Sequence, residues 1–211
     1  MKKYIVCSLI LGLLAAWLIR YYAVNGTFQV HDLYPVEISE MHAPVAFNDY
    51  MSYGVQYAPP GYTIAVESAR IVPFEDYLQE IGQSAEVFTN PAERYLELTL
   101  TIVNHGDAPD GKNGVSFYGL PLLGTNWYTF YDNEFTSYIN PFYEGNSDLA
   151  HICAVEKGES ATVKVAYNLW EDNFMPDQWE HLSEEEMWLQ VTCKPVDQRI
   201  CIQLSPWANS N

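Results

Sequence analysis

The segment from Tyr95 to Val103 constrains the fold most: Leu96, Leu98, Leu100 and Ile102 alternate with Glu97, Thr99, Thr101 and Val103. Successive side chains of a strand point to opposite faces, so this pattern predicts a strand with one face in a core and the other wet. Ala161 to Leu169 repeats it, with Ala161, Val163, Val165, Tyr167 and Leu169 alternating with polar or small residues after the turn Glu156-Lys157-Gly158-Glu159. In Tyr62 to Val72, Ile64 and Val66 alternate and then Ala69 and Ile71 resume out of phase, which predicts a bulge near Ser68.

Between these strands, Phe74 to Ile81 has a short helical pattern, entered after Pro73 and closed by Gly82. Val115 to Leu123 and Trp127 to Tyr131 are further apolar and aromatic segments, and Met187 to Cys193 with Arg199 to Leu204 form a terminal hairpin. Ser183-Glu184-Glu185-Glu186 has capping-box spacing, but Met187, Leu189 and Val191 alternate so soon afterwards that any helix is brief. About seven strands between turn signals, almost without long helices, predict an all-β chain: an antiparallel β-sandwich in the immunoglobulin manner. Aromatics at 15% agree, since such rings favour pleated, half-buried surfaces.

Strand parity also bears on the cysteines. Leu189, Val191 and Cys193 share one face, whereas Ile200, Ile202 and Leu204 make the matching apolar face and leave Cys201 on the other. Parity therefore argues against a Cys193–Cys201 bridge and leaves Cys153 as the better partner for either, if any bridge forms. No Cys/His spacing suggests zinc.

The N-terminus carries an address. After Lys2 and Lys3, Tyr4 to Ile19 is uncharged, and Arg20, Tyr21 and Tyr22 follow as an interfacial belt. About 20 residues to Val24 can span a hydrocarbon core of roughly 30 Å. The lysines place the N-terminus in the cytoplasm and send the remainder across. A cleaved signal peptide would want paired small residues, and neither Tyr21/Ala23 nor Leu14/Ala16 supplies them. The expected organisation is a cytoplasmic tip and transmembrane signal anchor over 1–24, an extracytoplasmic stalk and irregular lead-in over 25–60, and the sandwich domain over 61–211. The formal net charge of −17 repels phosphate backbones, which argues against nucleic acid as a partner.

The order GYTIAVESARIVPFEDYL, YLELTLTIVNHGD, EKGESATVKVAYNL and a closing MWLQVT with RICIQL resembles membrane-anchored proteins of Gram-positive bacteria that carry a domain of unknown function. The likeness covers roughly Ala46 to Leu204. It implies an immunoglobulin-type sandwich on the outer face of the cell membrane and brings no catalytic residues with it. The cysteine and tryptophan arrangement of antibody domains is absent, so the analogy is one of architecture.

Reactive constellations are sparse. His31, His42, His105, His151 and His181 lack HExxH spacing, and no GxSxG elbow, Walker loop or dinucleotide fingerprint occurs. Asp107, Asp110 and Asn113, with Asn104, can gather oxygens for Ca²⁺ but lack the EF-hand pattern, and a plain Asn/Asp turn explains them better. Trp127, Tyr128, Tyr131, Tyr138, Phe142 and Tyr143 crowd a region that also holds Asp132, Asn133 and Glu134. Rings beside carboxylates and amides suit stacking and hydrogen bonding to sugars, and protein contacts use Tyr and Trp as well. The candidate ligand-binding residues are thus Trp127, Tyr128, Tyr131, Asp132 and Glu134. The sequence predicts a non-enzymatic, membrane-anchored extracytoplasmic protein without cofactor or metal. Its partner is an envelope protein, or alternatively a cell-wall glycan held by the aromatic cluster.

Overall fold

The computed structural model describes residues 12, 14, 15, 17, 20, 34–47, 58, 60–106, 114–143, 145 and 148–205. The chain divides into two units, Met1–Pro35 and Val36–Asn211. In the first, Gly12, Leu14, Ala15, Trp17 and Arg20 are helical, and the side chains of Leu14 and Trp17 are exposed. No helix among the described residues is long and apolar enough to cross a membrane, and the rest of the expected 1–24 anchor lies outside those residues. So do residues 25–33 of the expected stalk and the loop residues Asp107, Asp110 and Asn113.

The second unit is mostly β. In chain order it has β1 (Val36–Ser39), β2 (Val45–Ala46), β3 (Tyr62–Pro73), helix α1 (Phe74–Ile81), β4 (Arg94–Asn104), β5 (Val115–Ser116), β6 (Leu122–Leu123) and β7 (Tyr128–Thr129). There follow α2 (Asn133–Ile139), β8 (Ile152–Cys153), β9 (Ser160–Leu169), α3 (Pro176–Glu180), β10 (Met187–Thr192) and β11 (Asp197–Ile202). The larger sheet has the order β1-β11-β10-β6-β7, the β4 sheet has the order β2-β3-β4-β9, and β5 pairs with β8. Among the described residues every strand pairing is antiparallel except that of β1 with β11, which is parallel. Both β1 and β2 come from the stretch before residue 61.

The inner faces of the two large sheets share one core, giving a sandwich-like arrangement. Leu96, Leu98, Leu100 and Ile102 of β4 meet Leu189, Val191, Ile200 and Ile202 of the larger sheet within it. Each such side chain withdrawn from water contributes about 1.5–3 kcal/mol. The predicted bulge is present: the β3–β4 register slips between Val66 and Ser68, which keeps Ile64, Val66 and Ala69 in the core. Strand parity in the terminal hairpin is as read from Met187 to Gln190, with Leu189 opposite Ile200 and Trp188 opposite Cys201, but the register shifts between Gln190 and Thr192, and Cys193 lies beyond the strand.

Helix α1 matches its predicted span. Glu75 and Asp76 lie at its positive end, and Gly82, at φ 65°, donates its N–H to the Leu78 carbonyl and closes it. Phe74, Tyr77 and Leu78 form its buried face. They pack with Tyr95, Phe88 and Phe135 into a second cluster on the outer face of the β4 sheet. The expectation of a wholly wet outer face on β4 is corrected here, because Glu97 is only 4% exposed. Two further helices, α2 and α3, interrupt the expected all-β pattern. The brief helix expected near Ser183 is a single 3₁₀ turn over Leu182–Glu184.

Candidate functional site

The aromatic stretch from Trp127 to Tyr143 does not form one platform. Trp127 sits at the end of the β6–β7 hairpin, where the Gly124 N–H donates to its carbonyl and a side chain at Gly124 would strike its indole. The ring is half-buried and meets Phe174 edge-on at 5.1 Å. Phe174 in turn packs on Trp179, over which the Arg94 guanidinium lies at 4.1 Å. Tyr131 is buried against Phe117 and Tyr118, and burial pushes its phenol well above the usual range. Tyr143 is buried, its hydroxyl donating to the Ile152 carbonyl, while Phe142 is exposed beside it.

The two acidic candidates are occupied with helix and loop ends. Asp132 is the N-cap of α2 and accepts the Phe135 N–H at 2.8 Å, and Glu134 accepts the Thr89 N–H at 3.1 Å. Tyr128 alone of the five candidates is exposed. It stands 66% accessible with Phe130, itself 44% accessible, edge-on at 5.7 Å.

Sequence reasoning missed the surface that Tyr128 belongs to. Across the larger sheet, Cys201 faces Trp188, Trp188 faces Leu123, and Leu123 faces Tyr128, which makes one cross-strand row. The flanking Met187, Leu189, Leu122 and Ile200 all point into the core, so the row lies on the outer face. Next to it Ile38 pairs with Arg199 and Val36 with Asp197. Val36 and Ile38 are 44% and 57% exposed on a strand at the sheet edge. The Arg199 guanidinium is neutralised by Asp197, which also accepts from the Gln190 amide at 2.8 Å. Carboxylates border the row: burial raises the Cys201 thiol pKa, and the charges of Glu40 and Glu186 raise it further. The result is an apolar strip with an acidic border.

Elsewhere, the buried Glu97 carboxylate is satisfied internally. Glu97 of β4 accepts from the Arg70 guanidinium at 2.9 and 3.1 Å and from the Tyr77 hydroxyl, with the Lys164 ammonium 3.4 Å away. Burial alone would raise its pKa, but Arg70, Tyr77 and Lys164 together hold it below the ordinary carboxylate value. Arg70 also forks onto Glu80 of α1 at 2.8 and 3.2 Å, so the group ties the helix to the sheet. Asn104 donates to the Val155 carbonyl and accepts the Gly106 N–H, which commits it to the turn. Among the described residues no group of His, Cys, Asp and Glu is placed to hold a metal ion. Cys153 is a buried thiol, raised to about 11 by burial, and has no bridge to Cys201.

No curated protein and no solved structure matches this chain. Residues 36–198 match the domain of unknown function DUF5028, and since that span is most of the sequence, the chain belongs to the DUF5028 family.

Proposed function

We propose that this chain is a non-enzymatic, membrane-anchored protein with an immunoglobulin-like domain outside the cytoplasm, and that it acts through protein contact as an accessory to an envelope complex. The observation that carries the contact reading is the outer face of the larger sheet, where Val36, Ile38 and Tyr128 expose apolar surface around Trp188 and Leu123. Exposed aromatic and aliphatic side chains grouped on one face mark interaction surfaces, whereas scattered ones do not. The anchor is supported by the charge order of the first residues, with Lys2 and Lys3 ahead of an uncharged run, and by the exposure of helical Leu14 and Trp17. A non-catalytic role is supported by the way Glu97 and Asp197 are consumed by internal partners.

Affinity capture of the full chain from detergent-solubilised membranes tests the reading. A specific partner should be retained by the wild type and lost when Tyr128→Ala and Ile38→Lys are combined. Capture of no specific partner under several growth conditions, or equal retention by the double variant, would defeat it. The glycan alternative rests on Tyr128 and Phe130, the rings of this region that reach solvent on β7 and just after it. Retention on cell-wall glycan that disappears with Tyr128→Ala, the fold intact, would favour that reading instead.

A further inference from the structure

The β1 end of the larger sheet differs from the long outer strand of the β4 sheet in how its backbone is used. Along β9, outward-pointing backbone groups are taken up one after another. Asn140 grips the N–H and C=O of Lys164, Thr136 accepts the Ala166 N–H, and the Ala166 carbonyl receives the Asp132 N–H. Along β1, the parallel ladder with β11 is the one backbone pairing among the described residues. A strand paired on one side directs alternate N–H and C=O groups away from its neighbour, and those form a template for another strand. Val36, Glu37 and Ile38 are all exposed, so the edge is open as well as unpaired.

Side-chain pattern and charge select what fits. Val36 and Ile38 share the outer face, and Glu37 points to the other. An added strand would place alternate residues beside Val36 and Ile38 and the residue between them beside Glu37. Opposite charges on neighbouring strands attract and like charges repel. A second copy of this chain, with net charge −17, would bring Glu37 and its acidic surroundings against themselves. A segment with Lys or Arg at that position meets the opposite charge of Glu37.

We propose that the free edge of β1 binds an extended segment of a partner protein in which apolar and basic residues alternate, by main-chain pairing with Val36–Ser39. This rests on the protein-contact reading above and names its mode. Main-chain bonds supply the attachment, Val36 and Ile38 bury the partner's apolar positions, and Glu37 selects for charge.

The test uses the full chain in detergent and capped peptides of about eight residues, a length near that of a typical strand. The probes are a peptide alternating Val and Lys, its Val/Glu counterpart, a shuffled Val/Lys peptide, and an alternating Val/Lys peptide N-methylated along one edge. Binding of the alternating Val/Lys peptide should slow hydrogen exchange at Val36–Ser39 by roughly tenfold, with the other three much weaker. Glu37→Lys should weaken it by about threefold or more, the scale of one cross-strand charge pair. Equal binding by the shuffled or N-methylated peptide would overturn the proposal, since attraction to an acidic surface would then suffice. So would exchange slowed elsewhere but unchanged at Val36–Ser39, or self-association of the chain that Glu37→Lys abolishes. If the peptides fail while affinity capture still yields a specific partner, the edge mechanism falls and the contact reading stands. If capture also fails, both fall.

Discussion

The outer strand of the β4 sheet and the outer strand of the larger sheet meet the same physical problem in opposite ways. Strand β9 is long and would expose a ladder of backbone groups, and α2 lies against it with side chains placed to satisfy them. Strand β1 is short, and its edge is left open. An unprotected long edge invites aggregation, so covering β9 is a condition of solubility. Leaving β1 open is affordable because few groups are involved and Glu37 stands among them. The difference teaches that the long edge is covered where the short one is not, and that the open one carries the exposed apolar side chains of Val36 and Ile38.

The covered edge can be broken most sharply at Asn140. Its side chain is buried, donates to the carbonyls of Lys164 and Thr136 at 2.7 Å, and accepts the Lys164 N–H at 2.8 Å. Asn140→Ala leaves backbone groups of Lys164 buried or newly open without partners. At about 1–3 kcal/mol for each unsatisfied group, the expected loss is about 3 kcal/mol. Urea unfolding at neutral pH measures it, and light scattering should show increased association as the β9 edge opens. A loss within about 0.5 kcal/mol would mean that water replaces Asn140 freely and that the edge is not protected by it.

Lys164 also links this edge to the Glu97 group, since its ammonium lies 3.4 Å from the Glu97 carboxylate. Glu97→Gln removes the charge that Arg70 and Lys164 share, and the expected loss at neutral pH is about 2 kcal/mol. That is below the cost of breaking a wholly buried pair, because Arg70 keeps Glu80 and Lys164 is partly exposed. The pH dependence has a definite sign. A carboxylate whose folded pKa lies below its unfolded value stabilises the fold above the unfolded value, about 4.3, and loses that contribution as pH falls through the folded one. The gap between wild type and Glu97→Gln should therefore be full at neutral pH and shrink below about pH 4. Urea titrations at several pH values check this, and a gap independent of pH would show that Glu97 acts by packing alone.

Much of this framework was legible in the chain. The period-two pattern of β4 and β9, the slip at Ser68 and the Pro73/Gly82 limits of α1 all follow from local rules that tertiary contacts did not override. Helix α2 was not legible, because Asn-Glu-Phe-Thr-Ser-Tyr-Ile is rich in aromatic and β-branched residues. It forms because Asp132 caps it and Phe135 stacks on Tyr95 at 4.0 Å, a contact no local pattern announces. The candidate site shows the same limit. Clustering along the sequence suggested Trp127, Tyr131, Asp132 and Glu134, yet strand alternation and capping send them to different tasks and leave Tyr128 outside. The row joining Tyr128 to Leu123, Trp188 and Cys201 is assembled from separate strands, so only the sheet order makes it visible.

The smallest expected effect lies at the open edge, and its smallness sharpens the comparison. Ile38 is more than half exposed, its backbone pairs with β11 on one side, and its neighbour in register is Arg199, already held by Asp197. A lysine at this position keeps a long apolar stem along the same surface and carries its charge into water. Ile38→Lys should therefore change stability by no more than about 0.5 kcal/mol, the usual range for a surface substitution. Urea unfolding beside Asn140→Ala gives the contrast directly. If Ile38→Lys instead costs about as much as Asn140→Ala, then β1 is part of the domain's structural support, and its exposed apolar residues would be explained by folding. A near-zero cost removes that explanation, because an apolar residue that the fold does not need, kept on an unpaired edge where it raises the risk of association, has its role in contact with something else.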